Sequence, residues 1–215
     1  EFIGAKAADR NGAGIRLEGG QLTVRRCLFY GNETGILTGA GERMTLVVED
    51  SEFAYNGHGD GQSHHLYAGS MASLAVTGSY FHHGNVGHNI KSRAARSRIA
   101  YNRLTDESGG QTSYELEFPN GGVVNVIGNI VQQSESTQNS VMVSYGTEGL
   151  KWPHNALRLV HNTLINDHPG GGTFVRARGV VAEGITRNNL YGGKGRWIVA
   201  SEAANSAGDA EVNWP

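Results

Sequence analysis

The sequence predicts an all-β fold, a right-handed parallel β-helix or solenoid of about seven coils, and two observations point to it. A short apolar segment recurs at intervals of about 23 to 33 residues, which is typical of coils with constant strands and variable loops. Glycine is frequent, at 32 of 215 residues, and proline is scarce, at 4, as suits a chain that turns often. Helical repeats fit poorly because no window carries a sustained 3.6-residue apolar period.

Three columns of residues define the predicted coil register. The first column is apolar and contains Val24, Val48, Val76, Ile99, Val126, Leu159 and Ile185. A second apolar column, five residues later, contains Phe29, Phe53, Phe81, Leu104, Val131, Leu164 and Leu190. Between them stand Cys27, Ser51, Ser79, Asn102, Asn129, Asn162 and Asn188. Residues that repeat at one position stack on each other, so the apolar columns predict a core and the polar column an internal asparagine ladder.

A further strand in each coil is marked by a separate apolar column. Its members are Ile15, Ile36, Leu66, Ile90 and Leu116, with weaker members at Val141 to Val143 and Phe174 to Val175. Because side chains alternate faces along a strand, the neighbours of these inward residues are predicted to face out. The outward set is His65, Tyr67, Asn89, Lys91, Glu115 and Glu117. Since coils lie ~4.8 Å apart, these side chains are expected to share one small surface.

Length and composition favour one soluble domain over residues 1–215. Glu1 falls inside a repeat, so we expect the sequence to lack upstream coils. The formal net charge of −2 gives no general attraction to nucleic acid or to an anionic membrane, and no apolar run approaches the ~20 residues of a membrane span. The single cysteine, Cys27, excludes an intramolecular disulfide and is expected to be buried.

Histidines are concentrated in the predicted central coils. The cluster contains His58, His64, His65, His82, His83 and His88, six of the nine histidines. We expect His65 to have a functional role and His64 and His88 to lie where the strands begin. The other three are expected to bond turn backbones. No H-x-H or H-E-x-x-H spacing supports a histidine metal site.

Four short pieces within residues 88–129 carry a family resemblance. They are Lys91-Ser92, Tyr101-Asn102, Asp106 to Gly110 and Gly128-Asn129. This segment resembles the central coils of pectate-lyase-like β-helices and is most similar to family 6 of the polysaccharide lyases, the alginate lyases and chondroitinase B. The resemblance implies a lyase that cleaves a uronate-containing polysaccharide by β-elimination, with Lys91 as the base. It also implies an acidic polysaccharide as partner and a secreted or periplasmic location.

The chain departs from that family at two points. The family's catalytic arginine lies on the coil after the lysine, but residues 114–120 contain no arginine, and we assign its role to Arg93 instead. The family's acidic calcium ligands precede the lysine, where residues 84–89 read Gly-Asn-Val-Gly-His-Asn. The expected cofactor is therefore none, or a Ca²⁺ ion held by Glu115 and Glu117.

The chemistry of β-elimination assigns roles to the outward set. The α-proton of a uronate is removed while its carboxylate is neutralised and the leaving oxygen is protonated. Lys91 is the expected base and Arg93 the expected partner of the carboxylate. Tyr67 and His65 are the expected acids. The residues expected to bind substrate are His64, His88, Asn89, Glu115 and Glu117.

Other functions stay open at the level of sequence. Glu115 and Glu117 would lie about 7 Å apart on one strand face, near the carboxylate spacing of inverting glycosidases. An epimerase is a further alternative function. Glu117 and Lys91 could instead form an ordinary ion pair between coils. A non-catalytic carbohydrate-binding solenoid would need exposed aromatic platforms, for which the sequence offers Tyr67, Tyr145, Trp152 and Trp197.

Overall fold

The chain folds into a stack of short strands joined by bends and loops. The computed structural model describes residues 1–179, 183–199 and 204–212, and its regular elements are 25 β-strands. No helix occurs among these described residues. None of them therefore belongs to a helix long and apolar enough to cross a membrane.

The strands are numbered in chain order. The first nine are β1 (Phe2–Ile3), β2 (Ala13–Leu17), β3 (Gln21–Arg25), β4 (Leu28–Tyr30), β5 (Thr34–Thr38), β6 (Gly41–Glu49), β7 (Glu52–Ala54), β8 (Leu66–Ala68) and β9 (Met71–Thr77). The next nine are β10 (Tyr80–His82), β11 (His88–Ser92), β12 (Arg96–Ala100), β13 (Arg103–Thr105), β14 (Tyr114–Phe118), β15 (Val123–Ile127), β16 (Ile130–Gln133), β17 (Val141–Tyr145) and β18 (Ala156–Val160). The last are β19 (Thr163–Asn166), β20 (Gly172–Ala177), β21 (Glu183–Arg187), β22 (Leu190–Gly193), β23 (Gly195–Val199), β24 (Ala204–Ala207) and β25 (Ala210–Val212).

Three parallel sheets run along the stack. Sheet 1 contains β1, β4, β7, β10, β13, β16, β19, β22 and β25. Sheet 2 contains β2, β5, β8, β11, β14, β17, β20 and β23. Sheet 3 contains β3, β6, β9, β12, β15, β18, β21 and β24. Because each strand pairs with the equivalent strand of the next coil, the fold is a parallel β-solenoid of about seven turns, which confirms the predicted fold class.

The apolar columns of the repeat form the core, as predicted, in all but the last coil. On sheet 3, Val48 pairs with both Val24 and Val76. On sheet 1, the rings of Phe29 and Phe53 stack with their centroids 4.5 Å apart, and the rings of Phe53 and Phe81 stack at 4.4 Å. The coil spacing of parallel strands brings identical rings into face contact, so the repeat produces a continuous apolar interior.

The predicted asparagine ladder lies at the bend between sheets 3 and 1. The side-chain oxygen of Asn129 accepts hydrogen bonds from the backbone N–H and the side-chain amide of Asn102, at 2.9 and 3.0 Å. Asn162 accepts the same two bonds from Asn129. Ser51 and Ser79 continue the ladder in the earlier coils through their hydroxyl groups. The rungs satisfy backbone groups that the bend leaves without strand partners.

The prediction of the last coil is wrong by one residue. Asn189, not Asn188, accepts the two hydrogen bonds from Asn162, and Thr186, not Ile185, pairs with Leu159. In the neighbouring sheet-1 column, the residue opposite Leu164 is accordingly Tyr191 rather than Leu190. Asn188 instead has the left-handed conformation (φ 54°) that precedes each rung, a conformation asparagine tolerates well. Two consecutive asparagines fit either position, so the sequence pattern alone could not separate them.

Candidate active site

The outer face of sheet 2 carries a cluster of charged and aromatic side chains. Its register agrees with the prediction, since Lys91 pairs with Tyr67 on one side and with Glu117 on the other. These three residues alternate with the buried core residues Leu66, Ile90 and Leu116. The side chains of Lys91 and Glu117 are only 14% and 7% exposed. The two charges therefore lie in a shielded part of the surface, where they interact more strongly than at an open one.

Glu117 lies at the centre of this cluster. Its Oε2 atom is 2.8 Å from Nζ of Lys91 and 3.2 Å from Nδ1 of His88. Thr147 donates to the other carboxylate oxygen at 3.5 Å. Burial opposes ionisation of Glu117, but His88 and Lys91 outweigh it and lower the pKa of Glu117 to about 2. Glu117 is therefore a fixed negative charge over the whole neutral pH range.

Arg93 lies beside this ion pair and has several partners. Its Nε donates to the hydroxyl oxygen of Tyr67 at 2.9 Å, and Nη1 donates to Oδ1 of Asn120 at 2.7 Å. Both Nη atoms also bind the carboxylate of Glu148, at 2.5 and 2.9 Å. The hydrogen bond to Glu148 raises the pKa of Arg93 further above its usual value. Because the oxygen of Tyr67 accepts from Arg93, its own proton is directed to another acceptor.

Two histidines extend the cluster on the other side of Tyr67. The ring of His64 stacks on Tyr67 and on His88, with centroids 5.7 and 4.4 Å apart. Nδ1 of His64 accepts from the backbone N–H of His88 at 3.0 Å, so the proton of neutral His64 is on Nε2. Burial lowers the pKa of both histidines, and both are neutral at pH 7. They add polar, uncharged and buried side chains next to the ion pairs.

The predicted outward position is wrong for His65, Asn89 and Glu115. All three are buried, and the ring of His65 meets Phe53 and Phe81 of the core edge-on, at 6.5 and 6.2 Å. The equivalent positions of other coils are occupied by Gly35, Met142 and Phe174. Met142 and Phe174 belong to the apolar core. His65 lies just before β8, and Asn89 and Glu115 are the second residues of β11 and β14, next to the bend from sheet 1 into sheet 2. At a bend, two successive side chains point inward, so the strict alternation of an extended strand fails.

Glu115 therefore has surroundings unlike those predicted for it. Its carboxylate accepts from the side-chain amide of Asn89. Burial, and then the neighbouring charge of Asp106, raise the pKa of Glu115 well above its usual value. Glu115 and Glu117 do not share an outer face, which was the basis for assigning them a calcium ion or a pair of hydrolase carboxylates. Among the described residues, no group of three or more His, Cys, Asp and Glu side chains is arranged to hold a metal ion.

The sequence indicates that the loop between β17 and β18 forms a wall of the groove through Trp152, but it does not indicate Glu148 or Thr147. This loop supplies Glu148 and Thr147 to the cluster, and Trp152 donates from its indole nitrogen to the backbone oxygen of Arg93 at 3.1 Å. The signal was its length, since residues 146–155 form the longest insertion in the repeat. Of the other predicted aromatic platforms, Tyr145 is buried and donates to the oxygen of Gly122. The side chain of Trp197 lies outside the described part of the structure.

Comparisons of the chain with protein-family models, curated proteins and solved structures find no match. A solenoid fold is shared by proteins of many functions, so the fold alone does not identify one.

Proposed function

We propose that this protein is a polysaccharide lyase that cleaves a uronate-containing polysaccharide by β-elimination on the outer face of sheet 2. Within that class, the motif around Lys91 favours a lyase similar to family 6, the alginate lyases and chondroitinase B. The observation that carries the proposal is the grouping of one amine, one guanidinium and one phenol on two neighbouring coils. Those groups belong to Lys91, Arg93 and Tyr67, and Arg93 donates to Tyr67 directly.

Each of these groups has a role in the proposed reaction. Arg93 binds the uronate carboxylate through two parallel hydrogen bonds and neutralises its charge, which makes the α-proton more acidic. Lys91 rests as a cation beside Glu117, so it first gives up one proton to solvent, and the neutral amine then takes the α-proton from C5. The electron pair forms the C4–C5 double bond while the bond from C4 to the glycosidic oxygen breaks. Tyr67 donates its proton to the leaving oxygen, since its own oxygen already accepts from Arg93.

The ionisation of the nearby carboxyl groups favours a lyase over an inverting hydrolase. A hydrolase needs one protonated carboxyl group as its acid near neutral pH. The two carboxyl groups of the outer cluster have lowered pKa values, Glu117 because of His88 and Lys91 against burial, and Glu148 because of Arg93. The carboxyl group with a raised pKa, Glu115, is buried away from that surface. The outer cluster thus lacks the acid that a hydrolase requires.

A non-catalytic acidic-carbohydrate-binding protein is the second candidate function. It is favoured by the pairing of each cation in the cluster with a carboxylate, Lys91 with Glu117 and Arg93 with Glu148. Such pairs position groups for binding without requiring any of them to transfer a proton. This candidate predicts binding of an acidic polymer with no change in the polymer's length.

The experiment incubates the purified protein with alginate, polygalacturonate and chondroitin or dermatan sulfate, each with and without a chelator. Ultraviolet absorbance reports the new double bond, and a reducing-end assay reports any chain cleavage. We expect both signals to rise together on one uronate polymer. Reducing ends without absorbance would contradict the lyase, and retention of a polymer without either signal would favour the binding protein. Loss of activity with the chelator would indicate that a calcium ion is a cofactor.

A further inference from the structure

We infer that Glu148 is a built-in competitor of the substrate, because its carboxylate occupies the position on Arg93 that the proposed uronate carboxylate takes. The inference rests on the proposed function and deepens it. It makes Glu148 a residue that determines which sugars can enter the site. The substrate class that follows is a sugar with a carboxylate at this subsite, since a neutral sugar has no group that can replace Glu148.

The geometry of the contact supports this assignment. Both oxygens of Glu148 meet the two terminal nitrogens of Arg93, at 2.5 and 2.9 Å. A uronate carboxylate presents the same planar pair of oxygens and makes the same two-bond contact with a guanidinium. Oε1 of Glu148 is also 4.0 Å from Nζ of Lys91. Glu148 thus lies across both groups that a bound uronate must reach.

Glu148, rather than Glu117, is the carboxylate that can leave. Glu117 is 7% exposed and is held by Lys91, His88 and Thr147. The side chain of Glu148 is 43% exposed and reaches the cluster from a loop. The substrate carboxylate replaces the Glu148 carboxylate with an equivalent two-bond contact, so the exchange costs little. Displacement of Glu148 exposes a carboxylate to water, whereas displacement of Glu117 would leave a buried charge without its partner.

The exchange requires rotation of one side chain, because the loop backbone is anchored. The backbone N–H of Glu148 donates to the oxygen of Pro119 at 2.9 Å, and that of Lys151 donates to the oxygen of Asn120 at 3.0 Å. The indole of Trp152 holds the loop to the backbone of Arg93 as well. The loop therefore keeps its position while the Glu148 carboxylate turns toward solvent. Because the competitor is tethered, its effective concentration at Arg93 is high, and it weakens substrate binding at every substrate concentration.

Charge explains why a carboxylate-bearing sugar is selected. With the histidines neutral, the charges of Lys91, Arg93, Glu117 and Glu148 cancel. A hydroxyl group of a neutral sugar cannot replace a charge-assisted, two-bond contact without a loss of free energy. A uronate carboxylate makes the equivalent contact and restores the same balance when Glu148 turns away. Glu148 thus filters out neutral polymers and also lowers the affinity for the acidic ones that pass.

The test compares Glu148→Gln with Glu107→Gln as a matched control. Glu107 is also paired with an arginine, Arg103, at 2.6 Å, but on sheet 1 away from the cluster. Calorimetry measures the binding of trimannuronate and trigalacturonate to each variant and to the wild type. We expect Glu148→Gln to bind the matching trimer roughly tenfold more tightly, with a lower KM and little change in kcat. Glu107→Gln should bind like the wild type.

The outcomes separate this inference from the proposed function. If the wild type produces the double bond but Glu148→Gln binds the trimer no better, Glu148 is not a competitor. If Glu148→Gln binds more tightly but no variant produces absorbance, the competitor is real and the lyase is wrong. If no variant binds either trimer, the competitor is wrong, and if the wild type in addition cleaves none of the polymers, the lyase is wrong as well. A thermal transition checks that each variant is folded, and Glu148→Ala, which also removes the carboxylate, should bind more tightly than the wild type.

Discussion

Glu115 and Glu117 lie two residues apart on β14 and are both buried, but their pKa values shift in opposite directions. Glu115 meets the amide of Asn89 inside the bend, and its pKa is raised. Glu117 meets Lys91 and His88 on the outer face, and its pKa falls to about 2. Burial opposes ionisation in both, so the partner decides the charge. A glutamate in the interior column thus tends to stay protonated, whereas a glutamate in the outer cluster is a fixed negative charge.

The largest expected effect tests whether Lys91 is the base or only the partner of Glu117. Lys91→Arg keeps a positive charge opposite Glu117 but replaces the amine with a guanidinium, which stays protonated in proteins. We expect the rate of elimination to fall roughly 10²- to 10⁴-fold, with little change in the urea midpoint of unfolding. The absorbance assay and urea unfolding measure the two effects.

Lys91→Ala serves as the contrast in that experiment. It removes the base and also leaves Glu117 without its cation, so it should lower both activity and stability. Equal activity of Lys91→Arg and the wild type would rule out Lys91 as the base. The exposed Lys6 provides a control, since Lys6→Ala should change neither measurement.

The second prediction concerns how the stability of the fold changes at acidic pH. Because the pKa of Glu117 is lowered from 4.5 to about 2 in the fold, its contribution to stability is present above pH 4.5 and is lost as the pH falls toward 2. The loss is about 3 kcal/mol. Urea unfolding between pH 2 and 7 should show Glu117→Gln less stable than the wild type at pH 7 and closer to it at pH 2. If the two proteins differed in stability by the same amount from pH 2 to 7, the lowered pKa of Glu117 would be contradicted.

The third and smallest effect has the opposite sign. The raised pKa of Glu115 means that its contribution to stability is fully present below pH 4.5 and is lost as the pH rises toward the folded pKa. Glu115→Gln keeps an oxygen for the amide of Asn89 and cannot ionise. We expect it to stabilise the fold at pH 7 and to have little effect below pH 4.5. Destabilisation at pH 7 would mean that the interior requires the charge.

The sequence was sufficient for the features that repeat and insufficient for those that occur once. The stacked columns, from Val24 on sheet 3 to Phe29 on sheet 1, follow from a period that every coil shares. The inward orientation of His65 depends on the geometry of a bend. The in-and-out alternation of side chains along a strand does not predict it. The approach of Glu148 to Arg93 depends on the path of one loop of 10 residues (146–155). Loop conformation is set by local backbone bonds that leave no periodic signal.

The asparagine ladder gives the solenoid a chemical direction. In every rung the earlier coil donates and the later coil accepts, from Asn102 through Asn129 and Asn162 to Asn189. The amide dipoles therefore point the same way and polarise one another along the stack. In the described residues, the series ends at Asp209, whose carboxylate accepts two bonds from Asn189, at 2.8 and 3.0 Å. Asp209 thus places its carboxylate at the donating, positive end of the aligned amides, as an acidic residue does at the start of an α-helix, and this stabilises the row.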